Sequence, residues 1–228
     1  MRNIPRVKKE NKKGIILLSG GLDSTVTLYI AKRRGYRLTA LIFSYGQKHK
    51  KEIQYAKKVA QLNRIEHYVI SLKFPWVHSS LTDNSMSIPT ARNLTSTQIP
   101  STYVAGRNLI FLSYAASLAD SMGARRIFIG AHTQDYSGYP DCRPTFFNRF
   151  EVALQRGLKR KGIKLITPLI NKNKREIIKI GLRVGVPFQL TWSCYKGEKK
   201  PCLVCDSCRF RLRAFQELGM VDPLLRHR

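Results

Sequence analysis

The sequence predicts an α/β protein built on a doubly wound parallel sheet, with a small helical, metal-binding region at its C-terminal end. Three observations predict it. A short apolar run at 14–18 opens directly into Ser19-Gly20-Gly21. Short strand-like runs then alternate with stretches of helical period, and four cysteines crowd the region from Cys194 to Cys208. Alternating strands and helices imply a parallel sheet, because each crossover helix returns the chain in the same direction and covers one face.

Taken in order, 14–18 reads as a buried strand and 24–34 as a helix, with Val26, Leu28, Tyr29 and Ile30 at helical spacing. Residues 37–43 read as a second strand, 48–62 as a helix and 67–70 as a third strand. Residues 71–102 carry Pro75, Pro89 and Pro100 among many Ser, Thr and Asn, which predicts a long loop. A loop of that length inside a compact domain is usually functional, and a lid is the expectation here. A helix at 108–122, a strand at 126–129, an irregular run at 131–144, a helix at 145–161, a strand at 164–166 and a helix at 174–184 follow. The cysteines and a last helix through about Leu218 close the chain. The expected organisation is a basic arm at 1–13, an α/β domain at 14–190 and a cysteine-bearing region at 191–228.

With 228 residues, 43% of them hydrophobic, the chain is long enough for one core with a small appendage. No apolar run approaches the roughly 20 residues of a membrane helix. The basic start runs into Gly14-Ile15-Ile16-Leu17-Leu18, too short an apolar stretch for a secretory signal, and cysteines crowded as for metal ligation suit a reducing compartment, so a cytoplasmic protein with no membrane partner is expected. The net charge of +27 comes from 41 Lys plus Arg against 14 Asp plus Glu. Such a surface attracts polyanions, tRNA among them. Because the bases are spread along the chain and form no single stripe, a solvated surface with phosphate-bearing substrates as its specific anions is the favoured reading.

Ser19-Gly20-Gly21-Leu22-Asp23-Ser24-Thr25 stands where strand becomes helix, which is where backbone N–H groups and the positive helix end converge on an anion. Glycines at 20 and 21 let the backbone approach phosphates, Ser19, Ser24 and Thr25 add hydroxyl donors, and Asp23 suits Mg2+. No lysine follows the glycines as it would in G-x-x-x-x-G-K-[ST]. Cys194, Cys202, Cys205 and Cys208 give C-x7-C-x2-C-x2-C, a spacing that suits a tetrahedral structural Zn2+; an iron–sulfur cluster is the chemical rival, without its usual x3-C-P continuation. Cys142 stands apart, as a packed side chain or a substrate neighbour. The run 130–144, with Tyr136, Tyr139, Asp141 and Arg143, follows a strand's carboxyl end, where open α/β sheets place ligands.

The seven-residue glycine string resembles the S-G-G-x-D-S loop of the N-type ATP pyrophosphatases, the PP-loop superfamily. That resemblance extends to 101–108, and it implies an adenine nucleotide alpha hydrolase-like, Rossmann-like fold that uses ATP to adenylate a substrate oxygen. ATP contact is then expected along Leu18, Ser19, Gly20, Gly21, Leu22, Asp23, Ser24, Thr25 and Val26, with Asp23, Ser24 and Arg107 as the catalytic candidates. Residues 135–143, Asp-Tyr-Ser-Gly-Tyr-Pro-Asp-Cys-Arg, together with 191–195 and 205–209, resemble the QueC family. This implies conversion of 7-carboxy-7-deazaguanine and ammonia to a nitrile, in a homodimer. Asp141 is expected to accept from the guanine-like N–H edge, Tyr136 or Tyr139 to stack on the ring, and Arg143 to orient the carboxylate. His49, His67 and His132 are candidates for the base that activates ammonia. The alternative is a PP-loop enzyme acting on tRNA itself, by thiolation or lysidine formation, which the net charge favours.

Overall fold

The computed structural model describes residues 12–90, 93, 98–132, 139–196 and 199–226. Five strands, β1 (Lys13–Leu17), β2 (Arg37–Ser44), β3 (Glu66–Ser71), β4 (Arg126–Phe128) and β5 (Lys164–Ile166), form one sheet in the order β3-β2-β1-β4-β5. All four pairings are parallel, with Ile15 opposite Thr39 on one side and Ile127 on the other. The doubly wound sheet is thus as the sequence predicts. Strand order reverses at β1, so the carboxyl ends of β1 and β4 diverge into a crevice, the standard ligand position of this topology.

The helices are α1 (Leu22–Arg33), α2 (Lys51–Leu62), α3 (Arg107–Met122), α4 (Pro144–Gly157), α5 (Lys174–Val184), α6 (Asp206–Gln216) and α7 (Pro223–Arg226). Side chains alternate across the central strands. Ile15, Leu17, Leu41, Phe43 and Ile127 face α3 and α4 through Leu112, Ala115, Ala119, Phe147 and Leu154. Ile16, Leu18, Ala40, Ile42 and Phe128 face α1 and α2 through Leu28, Ala31, Ala56 and Val59. Burial on both faces explains why these strands read as unbroken apolar runs.

Several boundaries differ from expectation for local reasons. Helix α1 starts at Leu22, two residues early, because the Ser24 and Thr25 hydroxyls donate back to the Gly21 carbonyl at 3.1 and 2.8 Å from inside the first turn. Helix α4 stops at Gly157 and not near 161; Leu158 is extended, and Lys161 folds back so that its Nζ donates to the carbonyls of Gln155 and Leu158. Helix α5 has the predicted bounds, fixed by an Asn173–Glu176 capping box and by Gly185 in the left-handed conformation. The short helix α7 was not foreseen.

Between β3 and α3 no helix or strand occurs among the described residues. The expected loop is nonetheless anchored: Ser79, Ser80, Leu81, Thr102 and Val104 are buried, and Ser80 N–H donates to the Ser101 carbonyl at 2.8 Å. Of these, Leu81 lines the crevice, whereas Trp76 stands 70% exposed. The C-terminal region shares its core with the sheet domain, since Ala214 and Phe215 of α6 pack with Leu22 and Val26 of α1 and with Ile177 and Ile178 of α5. No helix among the described residues is long and apolar enough to cross a membrane.

Candidate active site

At the divergence of β1 and β4 lies a cavity of about 240 Å³. Leu18, Ser19, Gly21, Leu22, Asp23 and Ser24 line one end of it. The hydroxyls of Ser19 and Ser24 meet at 3.0 Å, and Gly21 N–H donates to Ser19 Oγ at 3.2 Å, so the loop is braced from within. Three of the expected nucleotide residues do not line the cavity. Gly20 has φ +81°, and a Cβ there would lie 2.2 Å from the Glu52 carbonyl oxygen and 2.6 Å from Ala56 N. Its lack of a side chain therefore serves the approach of α2, where an approach of phosphate had been expected. The Thr25 hydroxyl is fully buried against Gly21, and Val26 is packed in the core shared with α5.

The structure adds partners that sequence reading missed. Lys174, the first residue of α5, places Nζ 2.9 and 3.0 Å from the two Asp23 oxygens and 3.1 Å from His132 Nε2. A lysine absent from the loop itself is thus supplied from 151 residues away. Burial alone would raise the Asp23 pKa, but Lys174 and His132 outweigh it and hold the carboxyl well below the usual carboxylate range. Gly130 completes this corner, since a Cβ there would come within 2.8 Å of the Asp23 and Ser24 backbone. Only glycine lets the end of β4 touch the first turn of α1.

Arg107, the first residue of α3, lines the other end of the cavity with Tyr45, Phe111, Tyr139 and Cys142. Its guanidinium donates to the Tyr45 hydroxyl at 3.2 Å. Burial opposes that charge, yet Tyr45, Tyr139, Cys142 and Asp141 more than restore it, so the pKa sits above the usual arginine value. Burial pushes the Tyr45 phenol up to about 12. Tyr139 is fixed by a 2.7 Å hydrogen bond between its hydroxyl and Thr102 Oγ1 and by a tilted contact with the Tyr103 ring. Burial, helped by Asp141, also pushes the Cys142 thiol up to about 12, which keeps it neutral and a poor nucleophile.

Neither Asp141 nor Arg143 is among the cavity-lining residues. Asp141 Oδ2 accepts Asn108 N–H at 2.9 Å, and the Asn108 amide donates to the Asp141 carbonyl at 3.1 Å and to Cys142 Sγ at 3.2 Å. Gly106, which caps α3, has no side chain, so the carboxylate that satisfies this helix end comes from a 3-10 turn at Pro140–Cys142. Asp141 is buried behind the cavity, and Arg143 points outward, exposed, at the start of α4. The arginines that line the cavity are Arg107 and Arg211. Tyr136 lies outside the described residues.

Cys194, Cys202, Cys205 and Cys208 bring their sulfurs within 4.8 Å of one another. A tetrahedral ion at ~2.3 Å from each sulfur needs edges of about 3.8 Å, so the arrangement fits one metal ion. The cluster abuts the glycine loop that follows β1. Trp192, 2% exposed, donates its backbone N–H to the Gly20 carbonyl at 2.9 Å and its indole N–H to the Cys194 carbonyl at 3.0 Å, while Lys51 lies over its ring.

The chain matches the family model described as queuosine biosynthesis protein QueC over residues 13–219. Among curated relatives, the 7-cyano-7-deazaguanine synthase of Trichodesmium erythraeum is 47% identical over 93% of this chain and 100% of its own length. The protein of the same name from Clostridium kluyveri is 49% identical over 93% of this chain and 97% of its own length. That from Thermoplasma acidophilum is 45% identical over 94% and 92% respectively.

Proposed function

This chain belongs to the QueC family of queuosine biosynthesis proteins, and from that premise we propose that it is an ATP-dependent ligase converting 7-carboxy-7-deazaguanine and ammonia into 7-cyano-7-deazaguanine. The observation that carries this reading is a single cavity lined at one end by the Ser19–Ser24 loop and at the other by Arg107 and Tyr139. One end is built for a nucleotide's phosphates. The other offers a flat aromatic ring and a fixed positive charge, which match a planar base bearing a carboxylate.

A carboxylate resists ammonia because it is anionic and its oxygen is a poor leaving group. Seated on Arg107, the substrate carboxylate attacks the α-phosphorus of ATP and pyrophosphate departs. Ammonia then displaces AMP from the acyl carbon to give the amide, and a second activation and loss of the amide oxygen gives the nitrile. The chain's contribution is positioning and charge stabilisation. The N-terminus of α1, with the Ser19 and Ser24 hydroxyls, holds the phosphates, and Lys174 stands ready to neutralise the charge that develops on them. Asp23, the carboxylate beside that loop, would hold the Mg2+ that screens the triphosphate. Asp141 and Asn108 act from behind by fixing the start of α3, and so Arg107. Arg143 has no part in this arrangement, and Tyr136 remains a second stacking candidate.

The four cysteines would hold a structural Zn2+, because thiolates that converge with no open position leave the ion no site for catalysis. Two copies are expected to assemble as a homodimer.

Mass spectrometry of a reaction with 7-carboxy-7-deazaguanine, ammonium, magnesium and ATP tests the reading. The intact chain is expected to yield the nitrile, and Asp23→Ala to lose at least about 100-fold in rate, the scale of removing one group that stabilises developing charge. ATP turnover with neither amide nor nitrile would favour the tRNA-modifying alternative. Prolonged chelation is expected to release one zinc per chain and to lower the melting temperature by at least about 10 °C, since structural zinc contributes directly to folding free energy. A zinc-free chain with an unchanged thermal transition would remove the structural assignment.

A further inference from the structure

The wall between the nucleotide loop and Arg107 carries a side-chain relay that none of the roles above uses. Gln47 closes the turn after β2: its Oε1 accepts Tyr45 N–H at 2.7 Å, and its Nε2 donates to the Phe43 carbonyl at 3.0 Å and to Glu52 Oε1 at 3.1 Å. The second oxygen of Glu52 lies 3.1 Å from His49 Nε2. That contact places the proton of the neutral imidazole on Nε2 and leaves Nδ1 as an acceptor. His49 and Glu52 both line the cavity, His49 is 4% exposed, and its Nδ1 is a buried polar atom without a hydrogen-bond partner. A buried acceptor oriented by a carboxylate and left unsatisfied points to a ligand proton.

The other two histidine candidates stand elsewhere in the fold. His132 Nε2 faces Lys174 and Asp23, at 3.1 and 3.6 Å, and belongs to the phosphate end. His67 lies on the edge strand β3 and is not among the cavity-lining residues.

We propose that His49, oriented by Glu52 and Gln47, accepts the proton that ammonia gives up as it attacks the adenylated carboxyl carbon. The proposal rests on the function proposed above. In this step the nitrogen lone pair forms the C–N bond, the C–O bond to AMP breaks with its electron pair on the phosphate oxygen, and one N–H proton passes to Nδ1. The imidazolium so formed is stabilised by the Glu52 carboxylate on its other nitrogen. The position suits the task because the Glu52 carbonyl is the atom pressed against Gly20, so the base sits beside the loop that carries the adenylate. Shielding of Nδ1 from bulk solvent also keeps the same base from activating water, which would return the substrate carboxylate.

The test is His49→Gln, whose amide can still donate to Glu52 but offers no ring base, assayed in two halves. Pyrophosphate exchange into ATP, dependent on the deazaguanine carboxylate, reports adenylation, and mass spectrometry reports amide and nitrile. Exchange within about twofold of wild type, with ammonia-dependent product formation down about 100-fold or more, is the expected result for loss of a general base. Hydroxylamine, unprotonated and strongly nucleophilic at neutral pH, is expected to recover much of that loss as hydroxamate. Glu52→Gln, which removes only the orienting charge, is expected to slow the same half by a smaller factor. Ammonia-dependent turnover near wild type in His49→Gln would overturn the proposal, and so would loss of exchange together with turnover. Failure of the wild-type chain to catalyse exchange would instead overturn the function on which it rests.

Discussion

Arg211→Ala is expected to destabilise the fold by about 3–5 kcal/mol, the cost of leaving a buried charge without its partner. Both members of the pair are nearly inaccessible, with side chains of Arg211 and Asp222 4% and 3% exposed, and Arg211 Nε lies 2.6 Å from Asp222 Oδ2. The remaining guanidinium N–H groups are also used, on the carbonyls of Phe188 and Thr191 and the hydroxyls of Thr191 and Ser193. One side chain therefore ties α6 to the strap at 188–193 and to the start of α7. Asp222→Ala should cost a similar amount, for it strands the guanidinium. Replacing the pair together with Met and Leu should cost less than either single change, because no charge is then left buried. Chemical denaturation of the three variants measures this, and additive losses would show that the two residues act independently.

Gly20→Ala is expected to disrupt the nucleotide loop, while Gly35→Ala serves as its internal control. Both glycines are left-handed, at φ +81° and +80°, so each substitution carries the same backbone penalty of roughly 1–2 kcal/mol. They differ in space. At Gly35 an added Cβ meets nothing within 4 Å, whereas at Gly20 it falls 2.2 Å from the backbone of Glu52. Backbone cannot rotate away as a flexible side chain can, so α2 must shift and take with it Glu52 and Lys51. Gly35→Ala should fold and retain activity, with a loss near that penalty. Gly20→Ala should lose at least about 2 kcal/mol more, on the scale of overpacked interiors, together with adenylation. Equal thermal transitions for the two variants would mean that α2 does not press on the loop as described.

The sheet and its helices were largely legible because burial on both faces leaves a local signature, unbroken apolar strands between helical stretches. Helix α5 could be bounded to the residue because Asn173, Glu176 and Gly185 mark its ends locally. Helix α4 could not, since the fold-back of Lys161 onto the carbonyls of the last turn has no signature in residue type. The loop and the cysteines were equally visible, being contiguous or nearly so. What stayed hidden depends on contacts between distant segments. Nothing near Lys174 marks it as the partner of Asp23, and nothing at Gly130 marks the touch of β4 on α1. The place of Asp141 was hidden for the same reason: its residue type suits a base edge, and only the fold shows that it caps a helix with no cap of its own. Arg143, two residues on, turns outward as that 3-10 turn ends.

The two tryptophans occupy opposite environments, and this gives the protein an optical consequence. Trp76 is 70% exposed, whereas Trp192 is 2% exposed, ring to ring with Tyr55, under Lys51 and bonded through its backbone to Gly20. A polar quencher silences the first and leaves the second. The residual emission is then an unlabelled gauge of the strap that joins the cysteine cluster to the nucleotide loop, readable in the intact chain as metal or ATP is added or withdrawn.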